Sequence, residues 1–333
     1  MGSTDDGQRR GSTTLRFLAA PTDVADLGGT AVSGGRVLEW VDRAAYACAA
    51  AWSSGYCVTA YVGDVAFEKP INTGELVEVR AHLILTGRSS MHVRVVVSAG
   101  PVQTGELDER ATCIVIFIAL DAKGGRPTQV REWEPRSQEQ HREAEAARDR
   151  IGVRSAIERE MADQTYSGAG TAPRAVLRFL AAPTDVNWGG KTHGGTVMRW
   201  IDEAAGVCAM QWTGERCLAV YSGGIRFYRP IPIGNLVEVS ARLLHTGRSS
   251  MHIAVHVRTA DPMGGELELT THCLTVFVAV RDGGSVPVPQ WEPASEEDQH
   301  LDRHALQLTA LRGGERGGPM AAPQHDGSPS SSG

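Results

Sequence analysis

The chain has 333 residues, of which 41% are hydrophobic and 22% charged, and this composition excludes a collagen, a coiled coil and disorder along the whole length. The net charge of −6 gives no dominant basic surface for nucleic acid, and the apolar runs fall far short of the roughly 20 residues that span a membrane. Residues 1–11 lack the apolar stretch of a signal peptide. We therefore expect a cytoplasmic protein with neither nucleic-acid nor membrane partners.

The six cysteines give no sign of a metal or redox site. None of them forms a CxxC pair, which disfavours zinc and thioredoxin-like sites, and disulfides are rare in a cytoplasmic chain. We therefore expect no metal and no cofactor. All six lie in apolar stretches and are predicted to be small buried side chains: Cys48, Cys57, Cys113, Cys208, Cys217 and Cys273.

The chain contains one domain sequence twice. Residues 15–24 recur at 177–186 without change, and residues 34–120 align with 194–280 without a gap, with 38 of 87 pairs identical. The cysteines follow the same offset of 160 residues. A period of this length is too long for a solenoid repeat. We therefore expect two domains of one fold, over residues 13–122 and 174–293.

Each copy predicts the same elements in the same order. The first copy opens with a strand at 14–20, passes through a loop with a Gly-Gly pair, and continues into an Ala-rich helix at 37–52. This helix is apolar on nearly every side, which is typical of a buried helix. Four strands with alternating apolar residues follow, at 57–71, 76–86, 89–99 and 107–122. A central apolar helix and an antiparallel sheet that can wrap around it predict an α+β domain.

Three segments lie outside the two copies. Residues 123–173 connect the copies, and within them residues 137–162 are rich in Glu, Arg and Ala, which predicts a solvated helix. Residues 294–333 begin with a helix remnant and end in a tail rich in Gly, Pro and Ser. We expect residues 1–12 and the tail from residue 313 onward to be disordered.

An aspartate lies in the middle of each apolar helix, at Asp42 and Asp202. Burying a carboxylate costs several kcal/mol unless it has a partner. Each aspartate therefore either reaches solvent or a nearby arginine, or lies in a cleft as a general base or nucleophile.

The loop before each helix ends in a glycine pair, Gly34-Gly35 and Gly194-Gly195. Glycine allows a substrate to approach the backbone closely, and the first turn of a helix offers free N–H groups and a positive dipole end. This combination suits an oxyanion that develops on an acyl carbonyl. A plain helix-capping turn is the alternative interpretation.

Several longer motifs occur in a fixed order. The second copy has Asn-x-x-Gly-x-x-His-Gly-Gly at 187–195, followed by Trp-Ile-Asp-Glu-Ala-Ala at 200–205. Both copies then have a Phe-x-x-Pro-Ile motif and a Thr-Gly-Arg-Ser-Ser-Met turn. Each motif is loose by itself, but their order and spacing, which occur twice, resemble the acyl-CoA thioesterases of the hotdog superfamily, most of all the tandem cytosolic acyl-CoA hydrolases.

This resemblance implies a double hotdog that hydrolyses fatty acyl-CoA to fatty acid and coenzyme A, with three such chains in a trimer. It implies a site split between the copies, where one copy gives the helix Asp and the other gives the loop Asn and the Gly backbone N–H. It also implies that two turns lie near coenzyme A. The residues of these turns are Arg88, Ser89, Ser90, Arg248, Ser249 and Ser250.

The two copies differ at the positions that the resemblance marks as catalytic. The strand after the helix carries Thr59 in copy one, where copy two has Ala219. The loop carries Asn187 in copy two, where copy one has Leu27, and a leucine side chain forms no hydrogen bond. We therefore predict one complete site per chain. It consists of Asp42, Thr59, Asn187, Gly194 and Gly195.

The second site, around Asp202, is then incomplete, and Asp202 is a remnant or has a structural or ligand-binding role. Asp26, beside Leu27, is an alternative replacement for the missing Asn. His193 either lines the site or only packs in its loop, and His92 and His252 are predicted to lie on the surface of their strands.

The alternative functions are a non-catalytic acyl-CoA binding or sensing module and a hotdog enoyl-CoA hydratase. The hydratase is disfavoured because no His follows either aspartate within its helix.

Overall fold

The computed structural model describes residues 11–24, 30–63, 65–121 and 125–313. Both copies have the predicted α+β arrangement, a long helix against an antiparallel sheet. The elements of the first copy are β1 (Ser12–Leu18), α1 (Gly34–Ser53), β2 (Cys57–Val62), β3 (Val65–Phe67), β4 (Glu75–Thr86), β5 (Ser90–Pro101) and β6 (Asp108–Ala119). The connector forms α2 (Gln138–Ala162).

The second copy repeats this order and ends in one more helix. Its elements are β7 (Arg174–Leu180), α3 (Gly194–Thr213), β8 (Arg216–Phe227), β9 (Leu236–Thr246), β10 (Ser250–Ala260), β11 (Glu268–Arg281), β12 (Gly284–Ser285) and α4 (Glu296–Gly313). The predicted disordered residues 1–10 and 314–333 lie outside the described residues, and β1 already begins at Ser12.

The two copies share one continuous sheet. Its strand order is β1-β4-β5-β6-β2-β8-β11-β10-β9-β7, and β3 pairs with both β6 and β8. The copies join where β2 and β8 run antiparallel, with Tyr61 opposite Arg226 and Val62 opposite Ile225. The first strand of each copy therefore lies at an outer edge, and the strands that follow the two central helices meet in the middle.

Helices α1 and α3 pack against each other on the same face of this sheet. Val41 of α1 and Ile201 of α3 are completely buried in one apolar core that both copies build. A Cβ atom on Gly35 would lie 2.8 Å from the Cα of Arg199, and one on Gly195 would lie 2.9 Å from the Cα of Glu39. The second glycine of each pair thus allows the start of one helix to touch the backbone of the other.

The predicted strand 57–71 is interrupted in the first copy. Strand β2 ends at Val62 and β3 begins at Val65, whereas β8 runs without a break in the second copy. The backbone N–H of Gly63 still donates to the carbonyl oxygen of Ile114 at 2.8 Å, so β6 remains the neighbour across the interruption.

The connector forms the predicted helix, but one side of it packs against the rest of the protein and is not solvated. Ile157 and Met161 of α2 are buried in a second apolar cluster, together with Leu308 of α4. Near the start of α2, Glu143 accepts a hydrogen bond from His82 at 3.1 Å and pairs with Arg94 at 3.4 Å. Both helices therefore cover the side of the sheet that faces away from α1 and α3.

These two covering helices also correct the prediction for two histidines. His92 of β5 and His252 of β10 are buried, with Arg154 of α2 and Arg312 of α4 close enough to affect their charge.

The prediction for the cysteines was confirmed, because all six are buried and free. Within the described part of the chain, no helix is long and apolar enough to cross a membrane.

Candidate active site

A cavity of about 830 Å³ lies between the two copies. From the first copy it is lined by Asp42 of α1 and Thr59 of β2, and from the second by Asn187, His193 and Gly194 of the loop before α3. The predicted halves of the split site therefore come together, since residues more than 120 positions apart in sequence share one cavity. Gly195 lies just behind the wall and reaches the site through its backbone N–H.

Asp42 is the centre of this arrangement. Its side chain is 1% exposed. The Thr59 hydroxyl donates to Oδ1 at 2.7 Å, the Gly195 backbone N–H donates to Oδ2 at 2.8 Å, and His193 Nδ1 lies 2.7 Å from Oδ2. Hydrogen bonds to an ionised group are stronger than neutral ones and offset the cost of burying it. Two of the three donors belong to the other copy, so the carboxylate is held across the domain boundary.

The glycine pair explains how the second copy reaches Asp42. A Cβ atom on Gly194 would lie 2.9 Å from the hydroxyl oxygen of Thr59, and one on Gly195 would lie 3.2 Å from the Cβ of Asp42. Larger residues would push the N-terminus of α3 away from the carboxylate. In this structure the Gly195 N–H donates to Asp42, so it is not free to bind an oxyanion unless the carboxylate moves.

Asn187 organises its own loop. Its Oδ1 accepts hydrogen bonds from the backbone N–H groups of Gly189 at 2.8 Å and Lys191 at 3.1 Å, and its Nδ2 donates to the carbonyl oxygen of Thr192 at 3.3 Å. An amide has two N–H hydrogens, so one remains available to a substrate in the cavity. The loop also needs glycine at position 190, where φ is +74°.

The second carboxylate, Asp202, has different surroundings. A Cβ atom on Gly34 would lie 2.9 Å from the Oδ1 of Asp202 and 3.1 Å from the methyl group of Ala219, which stands where Thr59 stands in the first site. Burial raises the pKa of Asp202 to about 6, although a hydrogen bond from the backbone of Gly35 opposes the rise. Ser33 caps α1 by accepting from the backbone of Arg36 at 3.1 Å. Positions 26 and 27 lie outside the described residues.

The turn residues predicted to bind coenzyme A lie elsewhere. All six belong to the described part of the chain, and none of them lines the cavity. They form the tight turns between β4 and β5 and between β9 and β10, where Arg88 and Arg248 are exposed. The cations that do line the cavity are Lys191 and Arg229.

Sequence reasoning missed an aromatic cluster at the cavity. The rings of Tyr46 and Trp188 stack with their centroids 4.6 Å apart and an angle of 4° between their planes, and the ring of His193 lies within 6.4 Å of both. Trp188 is 72% exposed. One signal was available, because Tyr46 aligns with Gly206 in the other copy, so the cluster has no equivalent on α3.

Comparisons with known proteins identify the family of the chain. The thioesterase superfamily matches residues 29–106 and again residues 189–266. An uncharacterized acyl-CoA thioester hydrolase of Haemophilus influenzae is 32% identical over 132 residues, which cover 38% of this chain and 82% of that protein. The human cytosolic acyl coenzyme A thioester hydrolase is 26% identical over 322 residues, which cover 88% of this chain and 82% of that protein.

A solved structure supports the fold across both copies. The crystal structure of a putative oleoyl thioesterase from Lactobacillus plantarum aligns with a TM-score of 0.57 and 8% identity, covering 83% of this chain and 99% of that one. The predicted fold and the predicted family are therefore confirmed. The chain belongs to the thioesterase superfamily and carries the hotdog domain of that family twice, as a double hotdog.

Proposed function

We propose that the protein hydrolyses fatty acyl-CoA to free fatty acid and coenzyme A, at one complete site per chain that both copies build. The observation that carries this proposal is the placement of Asp42. The carboxylate and Thr59 come from one copy, and the loop and helix N-terminus that meet them come from the other. Relatives named acyl-CoA thioester hydrolases, in bacteria and in human, support the reaction.

In this mechanism Asp42 activates the attack on the thioester carbonyl. A water molecule loses a proton as its oxygen adds to the carbonyl carbon and forms a tetrahedral intermediate. The intermediate collapses, and the carbon–sulfur bond breaks to release coenzyme A as the thiolate, which takes up that proton. The remaining N–H of Asn187 and the positive end of α3 favour the negative charge that develops on the carbonyl oxygen. Thr59 fixes the carboxylate by its 2.7 Å hydrogen bond.

The cavity suits a large thioester. Its volume of about 830 Å³ lies in the usual range of small-molecule sites. Lys191 and Arg229 on its wall are suited to the phosphates of coenzyme A, because both side chains carry positive charge and donate hydrogen bonds. The roles of the six turn residues stay a prediction, in which they contact parts of coenzyme A that extend outside the cavity.

We further propose that three chains assemble into a trimer and that the protein acts in the cytoplasm, in fatty acid metabolism. The edge strands β1 and β7 expose the apolar side chains Leu18, Val176 and Leu180, and an exposed sheet edge needs cover. The human relative is named cytosolic. Sedimentation should give three times the chain mass of 35.6 kDa; a mass near one chain would contradict the trimer.

The reaction is tested by thiol release from saturated acyl-CoA substrates of increasing chain length. We expect turnover on at least part of this series. Binding of acyl-CoA without release of thiol, measured by calorimetry on the same samples, would contradict hydrolysis and support the acyl-CoA binding module instead.

A further inference from the structure

We propose that His193 is the general base of the hydrolysis: its Nε2 takes the proton of the attacking water while Asp42 holds its Nδ1. This inference rests on the proposed thioester hydrolysis and refines the part that Asp42 plays in it. Asp42 then acts through the imidazole ring: it orients the ring and stabilises the positive charge that the ring gains with the proton.

The contact between the two side chains fixes the state of the ring. Nδ1 of His193 lies 2.7 Å from Oδ2 of Asp42, and an ionised carboxylate can only accept hydrogen bonds. Nδ1 therefore carries a proton, because its lone pair would otherwise face the negative oxygen. The Gly195 N–H lies 3.3 Å from Nδ1 but 2.8 Å from Oδ2, and it donates to the carboxylate.

The other ring nitrogen is free to act. In the neutral ring with a proton on Nδ1, Nε2 has an unshared electron pair. The described residues provide no hydrogen-bond partner for Nε2, and the side chain of His193 is 16% exposed in the cavity wall. The rings of Trp188 and Tyr46 pack around it, with centroids 5.9 and 6.4 Å away, so the imidazole has a defined position.

Asp42 itself is poorly suited to take the proton directly. Three hydrogen-bond donors already engage its two oxygens, from Thr59, Gly195 and His193. Each oxygen therefore already has a donor in place, and the side chain is only 1% exposed, so a water molecule has little access to either oxygen. An imidazole held by a carboxylate is a stronger base and has the proton affinity that catalysis near neutral pH requires.

The groups around His193 raise its pKa on balance. Burial lowers the pKa of His193, but the hydrogen bond and negative charge of Asp42 outweigh it. Arg43 opposes the rise and Glu39 supports it, and the net pKa lies above the ordinary value of 6.5. The fraction of His193 in the neutral form, which can accept a proton, therefore grows as the pH rises above 6.5.

The proton transfers balance over one cycle. Water gives a proton to Nε2 as its oxygen bonds to the thioester carbon, and His193 becomes positively charged beside Asp42. When the carbon–sulfur bond breaks, the electron pair leaves with the sulfur, and Nε2 returns the proton to the thiolate. The products are the carboxylic acid, which then loses its own proton to solvent, and the thiol of coenzyme A.

The other copy supplies a matched variant. Ser33 occupies the aligned position before α1, and its hydroxyl caps that helix by accepting from the backbone of Arg36 at 3.1 Å. The variant His193→Ser should therefore keep a good cap on α3, because serine is a favoured N-cap residue. It removes the imidazole ring without removing the start of the helix, and His193→Gln provides a second variant of larger side-chain volume.

The experiment measures kcat and KM for thiol release between pH 5 and 9 with the best acyl-CoA substrate of the wild type. We expect kcat to fall by about 10² to 10⁴-fold in both variants, with KM changed less than about threefold. We also expect the wild-type rise of kcat with pH, centred above 6.5, to disappear in both variants.

The outcomes separate this inference from the proposed function. A wild type that releases no thiol from any acyl-CoA overturns both. An active wild type with kcat of either variant within threefold of it, or with the same pH inflection in His193→Ser, overturns the role of His193 alone. A second readout needs no turnover: the imidazole titration of His193, followed by NMR, should move to lower pH in Asp42→Asn, and an unchanged titration contradicts the pairing.

Discussion

Asp42 and Asp202 occupy the same position in two aligned helices, and each accepts a backbone hydrogen bond from a glycine of the other copy, but their other neighbours differ. Asp42 has a threonine hydroxyl, a histidine ring and a backbone N–H as partners. Asp202 has a backbone hydrogen bond from Gly35 and the methyl group of Ala219 at the threonine position. The two carboxylates thus show what the same fold does with and without the groups that stabilise a buried charge.

In the proposed mechanism, the differences between the copies leave one split site with all of its partners and the other without two of them. Each site takes its carboxylate from one copy and its loop from the other. The loss of the threonine in copy two and the loss of the loop asparagine in copy one, at Leu27, both affect the site of Asp202. The site of Asp42 keeps both partners, so the copies remain dependent on each other although they are no longer equivalent.

The largest effect should come from Asp42→Asn. An amide of the same size can neither accept a proton at this position nor hold the imidazole of His193 in its charged form, so kcat should fall by about 10² to 10⁴-fold. Thiol-release kinetics on acyl-CoA measure this change, with circular dichroism to check that the variant is folded. Turnover close to that of the wild type would mean that Asp42 is not part of the working centre.

Asn187→Ala should be the next most severe change. It removes the amide from the cavity wall, together with its three hydrogen bonds to the backbone of the loop before α3. The loss of a group that stabilises the oxyanion corresponds to about 10² to 10³-fold in kcat. Substituting Gln for Leu27 in the other copy is the control, and it should leave the rate unchanged because Asp202 lacks its other partners.

Thr59→Ala makes the first site resemble the second. It removes the 2.7 Å hydrogen bond to Asp42, and a hydrogen bond to a charged group contributes about 1.5 to 3 kcal/mol. We therefore expect kcat to fall by about ten- to a hundredfold. The reverse change, Ala219→Thr, should not raise turnover, and an increase would show that the second site still works.

The sequence predicted the fold and the placement of Asp42 and Asn187 on one cavity, because both depend on patterns that occur twice. The gap-free offset of the copies gave the helices and most strands, and the complementary losses gave the pairing of half-sites. The packing of α2 and α4 was missed because a few apolar residues, such as Ile157 and Met161, lie among many charged ones. The contact of His193 with Asp42 was missed because copy one has Ser33 at the aligned position, so the repeat shows no pattern for this pair.

Copy two has two buried histidines that copy one lacks, so acid should destabilise the folded state of copy two more. Burial lowers the pKa of His256 to about 3 and that of His272 to about 4, and both lie in copy two, where copy one has Val96 and Thr112. An unfolded chain binds protons on these histidines near pH 6.5, while the folded chain does not. The folded state therefore loses stability as the pH falls from about 6.5 toward 4.

His256→Val, which copies the residue of the other domain, should reduce this loss. Urea unfolding at pH 7 and pH 5 should show a stability difference smaller than in the wild type by up to about 2 kcal/mol, the value for one histidine that cannot ionise in the folded state. Substitution of His82, which is partly exposed, should change the difference less. An equal pH dependence in His256→Val and wild type would contradict the role of the buried ring.

The smallest expected effect tests the asymmetry of the two copies most directly. Asp202→Asn removes the second carboxylate and leaves every contact of Asp42 in place, so kcat for thiol release should stay at the wild-type value within the precision of the assay. The buried amide also avoids the cost of a carboxylate whose pKa is raised to about 6. Loss of half the turnover would show two working sites per chain, and loss of nearly all of it, in a folded variant, would place the working centre at Asp202.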